Sequence, residues 1–548
     1  MSSDADKYVF EKALEEQDNT PLFQAKRYTY VTDSSSNNGN FNGQIQFDLN
    51  TLSSQNQWTN LSEAIINFPV KITASVAEAE ALGGVTAFAA TIKNGFHQFI
   101  DSVQVVINGT TVQSSQIFEN VNTSFKLLTE CSQDELKKWG PTIGFAIDDY
   151  KVKTDGTALT SLDNVALATI VNPLCGVSYP ANNNSGYKAR AEMLNSNSGT
   201  TLMTSILTNP NLSAKGSVQI DASGTTANTE RFVAFMMGTV RFKDISDFAQ
   251  KCPCLKNLKG YIYLNYNSAK SVYTATAATG VVKTSITNTP IYGRCQPAMI
   301  NKIDMEGAAD KTITFTCEIS GTAGTNLTTA KPPITNARLI VPYYIASPEV
   351  DRTLAQKKSF RFNERFVTVV DIAKTASTNV TITPGVSNPK RIIMLPVLYG
   401  TGASGGTVAD MAPQPELSPF DIAVAGGGSS PFASLRNLQV LVGNQPMFQN
   451  PVDFDFDVYN QEIGTTGLDG GLNIEQSSGL LSQTTWNQNH KYYTVDIGRR
   501  VGGDDGASKS VQLSCYNPCN APMKLICMVW YEREVTVDTA LGVAVQNM

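Results

Sequence analysis

The sequence predicts an all-β protein of two sandwich domains, and three observations carry that prediction. The first is composition: 41% of the residues are hydrophobic and only 16% are charged. Thr, Ser, Asn and Gly fill the gap, which is the mix of strands joined by turns rather than of helices. The second is length, since 548 residues exceed one ordinary β-domain and suit two of roughly 250. The third is an internal echo. Residues 102–113 read SVQVVINGTTVQ and residues 437–449 read NLQVLVGNQPMFQ. Each has a turn pair, Asn108-Gly109 or Gly443-Asn444, that tolerates the positive φ of a tight hairpin. Val103, Val105 and Ile107 correspond in order to Leu438, Val440 and Val442 at a constant offset of 335 residues. In a chain with room for two β-domains, this favours two copies of one fold.

Taken in order, residues 1–25 are expected to form an N-terminal arm. Residues 4–17 would be a short helix with Tyr8, Ala13 and Leu14 on its apolar stripe. The first β-domain is placed at 26–285. It opens with Ile45, Phe47 and Leu49 alternating with polar neighbours. Residues 65–72 follow as an apolar run broken by Pro69, which predicts an edge strand or a bulge. Helices are few. One is expected from the N-cap Ser132, with Glu135 completing a capping box, to Gly140. Another, 246–251, ends against Pro253. Both read as connections between strands of a sandwich rather than as crossovers of a parallel sheet. The Thr/Ala-rich, weakly patterned stretch 271–290 is taken as the domain boundary. The second β-domain then spans 286–538 and a tail 539–548. Within it, 524–531 (KLICMVWY) is apolar on both faces, so it is buried between layers or covered by a neighbouring subunit.

Charge and motifs exclude several functions. The net charge is −6, and no Lys/Arg run is present to neutralise phosphates. Residues 1–17 are mildly acidic, with no secretory signal, and no run of about 18 apolar residues predicts a membrane span. The nine cysteines have no framework spacing and are expected to be reduced thiols, the closest pairs being Cys252/Cys254 and Cys515/Cys519. Gly400, Gly402 and Gly405 match a dinucleotide fingerprint, and Ser404 sits in a nucleophile-elbow pattern. Both need a helix next, where the sequence has Pro413, Pro415 and Pro419. Asp453, Asp455 and Asp457 alternate with Phe454 and Phe456, which predicts one polar and one apolar strand face rather than a calcium loop. His97 and His490, the two histidines, read as ordinary hydrogen-bonding residues. Arg499 and Arg500 read as a surface or interface ion-pairing couple. The sequons at Asn108 and Asn326 carry no meaning without a secretory route. No catalytic, cofactor-binding or metal-binding residue is assigned, and no cofactor is expected.

Several segments together resemble the major capsid proteins of virophages and polinton-like (Maverick) viruses. Residues 93–113 (KNGFHQFIDSVQVVINGTTVQ) resemble the family's early hairpin block. Residues 242–265 (FKDISDFAQKCPCLKNLKGYIYLN) resemble its helix-then-strand closure of the first domain. In the second half, 337–348 (ARLIVPYYIASP), 388–396 (NPKRIIMLP), 434–462 and 492–538, with its paired arginines and closing YEREVTVD, follow the family's order. The likeness spans roughly 26–540. Giant-virus capsid proteins share the fold but carry a different second-half signature, so the smaller viruses and elements are preferred.

The resemblance implies a double jelly roll, two eight-stranded antiparallel sandwiches with a few short connecting helices. It also implies a non-enzymatic role in the icosahedral shell of a double-stranded DNA virus. The partners it implies are the chain itself, as a pseudo-hexagonal homotrimer, and neighbouring capsomers, with a penton (vertex) protein and minor or cement proteins. Sequence-specific nucleic-acid binding is not expected. The location would be the virion, after synthesis and assembly inside the host cell, in cytoplasm or nucleus. Outer loops at 400–419 or 154–164 would be the places for receptor contact. The alternatives are a two-domain β-sandwich carbohydrate-binding protein or enzyme, and a viral fibre or adhesin. The first lacks a secretion signal and clustered aromatics around acids, the second long fibrous repeats.

Overall fold

The structure is a computed structural model. It describes residues 23–53, 57–79, 89–148, 186, 190, 216–221, 224–278, 281–301, 311–399, 429, 433–463, 479–498, 507–519 and 522–547. The expected helix at 4–17, the loops at 154–164 and 400–419, and Arg499 and Arg500 lie outside the described residues.

Among the described residues, fifteen strands occupy the first part of the chain: β1 (Phe23–Thr32), β2 (Gln44–Asp48), β3 (Trp58–Thr59), β4 (Ile65–Val76), β5 (Ala89–Ile92), β6 (Ile100–Ile107), β7 (Thr110–Gln113), β8 (Gly216–Ile220), β9 (Thr229–Arg241), β10 (Gly260–Tyr266), β11 (Ser268–Ala278), β12 (Val281–Tyr292), β13 (Ala298–Asn301), β14 (Lys311–Ile319) and β15 (Arg338–Ala346). Nine follow: β16 (Lys357–Ile372), β17 (Ser377–Val386), β18 (Pro389–Leu398), β19 (Arg436–Val442), β20 (Gln445–Pro446), β21 (Tyr493–Asp496), β22 (Lys509–Tyr516), β23 (Met523–Asp538) and β24 (Val543–Asn547).

The second sandwich is the simpler. One sheet runs β16-β23-β18-β21 and the other β17-β22-β19-β20, all antiparallel. Numbered by their order along the chain, its eight strands read 1-8-3-6 and 2-7-4-5, the interleaving of a jelly roll. The first sandwich repeats it. Its smaller sheet runs β2-β10-β6-β7, and its larger sheet contains β1-β15-β4-β9. With β3, β5, β8 and β11–β14 set aside, the eight remaining strands have the same two orders. The echoed hairpins of the sequence therefore fall on equivalent strands, β6-β7 and β19-β20. Their turn residues have positive φ in both cases, 46° and 81° at Asn108-Gly109, 57° and 66° at Gly443-Asn444.

Alternation drives the packing, because every second strand residue faces the opposite sheet. Ile45 and Phe47 of β2, Val103, Val105 and Ile107 of β6, and Ile262 and Leu264 of β10 meet Ile66, Phe68, Val70 and Ile72 of β4 in one core. Val440 and Val442 of β19 and Val511 and Leu513 of β22 meet Ile392, Met394 and Leu395 of β18 and Leu525 to Trp530 of β23 in the other.

The hydrogen-bond pairing corrects several boundaries. Residues 271–290 are not a linker: β11 and β12 form a long hairpin, in register from Ala269↔Pro290 to Ala278↔Val281, as the β-preference of their Thr residues allows. Strands β12 to β15, although largely beyond the expected boundary at 285/286, pair only with strands of the first half. The partners change between β15 and β16, around the helix Pro348–Leu354. β1 starts inside the expected arm and β24 inside the expected tail, where it pairs with β23. β4 is not an edge strand. It has β9 along one side, and β15 then β14 along the other, and Pro69 sits in the gap between Asn67↔Arg338 and Val70↔Ile319. A residue without an N–H fits where no ladder partner calls for one.

The expected helix at Ser132 is found as Gln133–Ile143, with Ser132 Oγ accepting from the Glu135 N–H at 3.1 Å. It runs three residues past Gly140 to Gly144, whose φ of 64° ends it. The shorter helix is Asp247–Lys251, capped by Ser246.

Gly260 starts β10 at φ +145°, where a Cβ would lie 2.0 Å from the carbonyl oxygen of Val106. Gly109 also has positive φ, but a Cβ there meets nothing within 4 Å. Gly260→Ala should therefore cost about 3 kcal/mol, through strain and a backbone clash. Gly109→Asn should cost well under about 1 kcal/mol. Denaturant midpoints of the two variants check this, and equal losses would contradict it.

Candidate functional site

The described residues bring no set of three or more acids, histidines and thiols together that could hold a metal ion. What the sequence concentrates instead is a polar and aromatic junction between the two sandwiches. At its centre is a helix, Glu119–Glu130, in the connection from β7 to β9. Sequence reading missed it, because Phe118 at its N-cap has φ 58° and makes no side-chain cap. The available signal was Val121, Phe125 and Leu128 at i, i+4 and i+7. Every residue from Glu119 to Thr129 is buried, since the helix is wedged onto the outer face of the second sandwich's larger sheet.

There Phe125 packs edge-on against Tyr492 and Trp530, with ring centroids 5.0 and 5.7 Å apart. The Trp530 indole N–H donates to Asn122 Oδ1 at 3.0 Å, and the Leu480 N–H donates to the Leu128 carbonyl at 2.8 Å. Thus β23, apolar on both faces, is covered from within its own chain. The cores are completed reciprocally. Phe118, Val121, Phe125, Leu127 and Leu128 belong to the second core, while Phe362, Val535, Val537 and Ala544 belong to the first.

Charge fixes the register of the wedge. Arg365 of β16 forms a buried ion pair with Glu119 and donates to the Gln116 carbonyl at 2.8 Å. Glu119 also accepts from Asn122 at 3.0 Å and Thr123 at 3.1 Å. Beside it, Glu364 accepts from the Ser114 N–H at 2.7 Å and from Ser114 Oγ, from the Tyr531 hydroxyl at 3.0 Å, and from Arg533. Burial, then the Glu364 carboxylate, pushes the Tyr531 phenol well above its ordinary value. Between these groups lies a polar cavity of about 20 Å³, lined among others by Ser114, Asn122, Glu364, Arg365 and Trp530, room for one water. Farther along, Phe248 meets Phe362 edge-on at 5.6 Å, and Asp351 takes Lys256 at 2.9 Å and the Trp58 indole N–H at 2.7 Å.

The candidate positions of the sequence are dispersed. Asp453, Asp455 and Asp457 are not on a strand. Asp455 accepts from the Val458 N–H at 3.0 Å and so caps the helix Phe456–Ile463, while Asp453 accepts from the Asn437 N–H at 3.0 Å. Phe454 and Phe456 pack on Trp486 instead of lining a strand face. The eight described cysteines are free thiols, and Cys175 lies outside the described residues. Burial pushes the Cys131 and Cys515 thiols up to about 12, which keeps them protonated and poor nucleophiles or ligands. His490 Nε2 lies 3.2 Å from the Asp148 carbonyl. His97 is buried, with Nε2 2.7 Å from Ser124 Oγ. Burial, and then the Arg190 charge, push its imidazole down to about 3.

No protein-family model matches the sequence, and no curated protein matches it either. Solved structures do. A chain of the Sputnik virophage is similar at a TM-score of 0.50 and 14% identity, covering 98% of this chain and 92% of that one. The mavirus major capsid protein gives a TM-score of 0.46 at 12% identity, with 100% and 95% covered. A chain of the PBCV-1 virus capsid gives 0.40 at 9%, with 97% and 100% covered. The Sputnik likeness and the twice-repeated strand order define the class of this protein: it is a double jelly roll.

Two predictions follow from the junction. Arg365→Met leaves Glu119 buried without its cation and should cost about 3–5 kcal/mol. Adding Glu119→Gln should return much of that loss, and urea denaturation of both variants measures it. The second concerns His97. An unfolded histidine takes its proton near 6.5 and the folded His97 near 3. Its contribution to stability is therefore full above about pH 6.5 and is lost as pH falls toward 3, at no more than about 1.4 kcal/mol per pH unit. His97→Gln should flatten the decline in unfolding free energy between pH 6 and 4. A slope equal to wild type would mean that His97 protonates in the folded protein.

Proposed function

We propose that this chain is the major capsid protein of a double-stranded DNA virus of the virophage or polinton-like kind, a structural protein without catalysis. The observation that carries the reading is the repeat itself. One chain holds two jelly rolls of identical strand order, locked side by side by a wedge helix and reciprocal cores. A ring of three such chains offers six similar wedges, so one gene product tiles a hexagonal lattice. The similarity to virophage and PBCV-1 capsid chains supports the same reading. The capsomer would be a homotrimer, set among neighbouring capsomers, with a penton protein closing the vertices and minor or cement proteins at the seams. Its place would be the virion shell, built inside the host cell. An acidic chain, of net charge −6, leaves neutralisation of the genome to other components.

Light scattering on the purified protein tests this, with negative-stain images of the same peak. Three chains of 59.1 kDa, about 177 kDa, with a hexagonal outline are expected. A single 59.1 kDa particle at high concentration would overturn the capsomer and return the carbohydrate-binding reading.

A further inference from the structure

The strand β1 begins at Phe23, whose ladder partner is Ala346. Two residues beyond Ala346 starts the helix Pro348–Leu354, the connection to the second sandwich, and none of its residues is buried. Its Asp351 is taken by Lys256 and the Trp58 indole. Its Arg352 is exposed, as are Lys357 and Lys358 at the start of β16, and the three form no ion pair among the described residues. Lys357 stands opposite Asp538, which opens the turn from β23 to β24. That turn is held from several sides. Asp538 Oδ1 accepts from the N–H groups of Ala540 and Leu541 at 3.1 Å. Thr539 donates its N–H to the Gln356 carbonyl at 3.0 Å and accepts on its own carbonyl from the Lys256 N–H at 2.8 Å. Its hydroxyl lies 2.6 Å from the Leu354 carbonyl, and Asn257 Nδ2 donates to the Ala540 carbonyl at 3.0 Å. At the tip of this fixed turn, Leu541 is 64% exposed.

We propose that this surface, three unpaired cations beside a leucine knob, is the seat of the N-terminal arm of the same chain. Charge is complementary. Residues 4–18 carry Asp4, Asp6, Glu11, Glu15, Glu16 and Asp18 against Lys7 and Lys12. In the helix expected there, Phe10, Ala13 and Leu14 recur at i, i+3 and i+4. An acidic helix with one apolar stripe matches a cationic surface with one apolar knob. Pro21 separates that helix from β1. The reach is sufficient. Residues 18–22 span up to about 17 Å when extended, and a helix over 4–17 is about 21 Å long. The helix Pro348–Leu354, which leads from the neighbour of Phe23 to the turn, is only about 10 Å long. The arm therefore joins the fold beside its seat, and a segment tethered so closely binds at high effective concentration. Leu541 is already fixed by the hydrogen bonds of its turn, so covering it orders no further backbone. The seat lies within one chain and stands whether or not three chains assemble.

A benzophenone amino acid placed at position 541 of the full chain tests the seat by photo-crosslinking, with peptide mapping and a denaturing gel. The crosslink should end within residues 4–17, and the product should stay at the mass of one chain, 59.1 kDa. Reversing the arm's charge with Glu11→Lys, Glu15→Lys and Glu16→Lys should lower the yield about tenfold. Reversing the seat's charge with Arg352→Glu, Lys357→Glu and Lys358→Glu should do the same, with circular dichroism checking the fold. The two sets combined should restore the yield. The arm variant changes no residue of either sandwich, so it decides the matter even where the seat variant fails to fold. Crosslinks that end outside residues 4–17, a product of about 118 kDa joining two chains, or a yield indifferent to the arm's charge would each overturn the proposal.

Discussion

The wedge of the helix Glu119–Glu130 onto the second sandwich is the constraint on which the rest of the structure depends. Without it, β23 would expose an apolar outer face from Ile526 to Trp530. With it, residues of the first half complete the second core and cover that face. The Glu119–Arg365 pair at its head adds little over a well-packed apolar contact, because both ions are desolvated. Its effect is positional. A guanidinium that must meet the Glu119 carboxylate and the Gln116 carbonyl at once, with the Trp530 indole on Asn122, admits one seating of the helix. The relative orientation of the two jelly rolls is thereby set by polar groups, while apolar area supplies the adhesion.

That fixed orientation explains why the two halves share a strand order but not an outline. The eight-strand pattern keeps each core closed, so elaboration is confined to the connections. In the first sandwich, β11 to β14 lie between the seventh and eighth strands, and β14 extends the larger sheet by taking the edge of β4 beyond Pro69. The second sandwich has no equivalent among the described residues, and there β24 takes up the far end of β23. Insertions at such places lengthen a sheet without disturbing the wedge. The same scaffold can therefore carry unlike surfaces at its ends.

Much of this was legible in the residues. The alternation at Ile45, Phe47, Val103, Val105 and Ile107 and the Asn-Gly and Gly-Asn turns gave strands, hairpins and the repeat, because period-2 burial and positive-φ turns are local properties. Ser132 and Ser246 announced their helices for the same reason. What was misread depended on partners distant in sequence. Residues 271–290 look featureless because their pattern is set by β14, and 285/286 looks like a boundary because nothing local says that β15 returns to β1 and β4. Asp453 to Asp457 alternate like a strand, yet one backbone N–H, that of Val458, turns Asp455 into a cap. The junction was invisible for the same cause: Glu119 and Arg365, or Asn122 and Trp530, are unremarkable until the fold brings them together.

The asymmetry of the two larger sheets is the last consequence. Identical strand orders put an outward pair of strands on each sandwich, and within a chain the first sandwich can cover only the pair that belongs to the second. Among the described residues the outward pair of the first sandwich is left uncovered. Evolution of a solitary protein would favour charge and short side chains on such a surface, because exposed apolar area promotes unwanted association. Here the surplus face instead carries Tyr28 and Tyr30 with cations stacked on their rings. Among the described residues, then, one of the two equivalent faces is covered and the other is open.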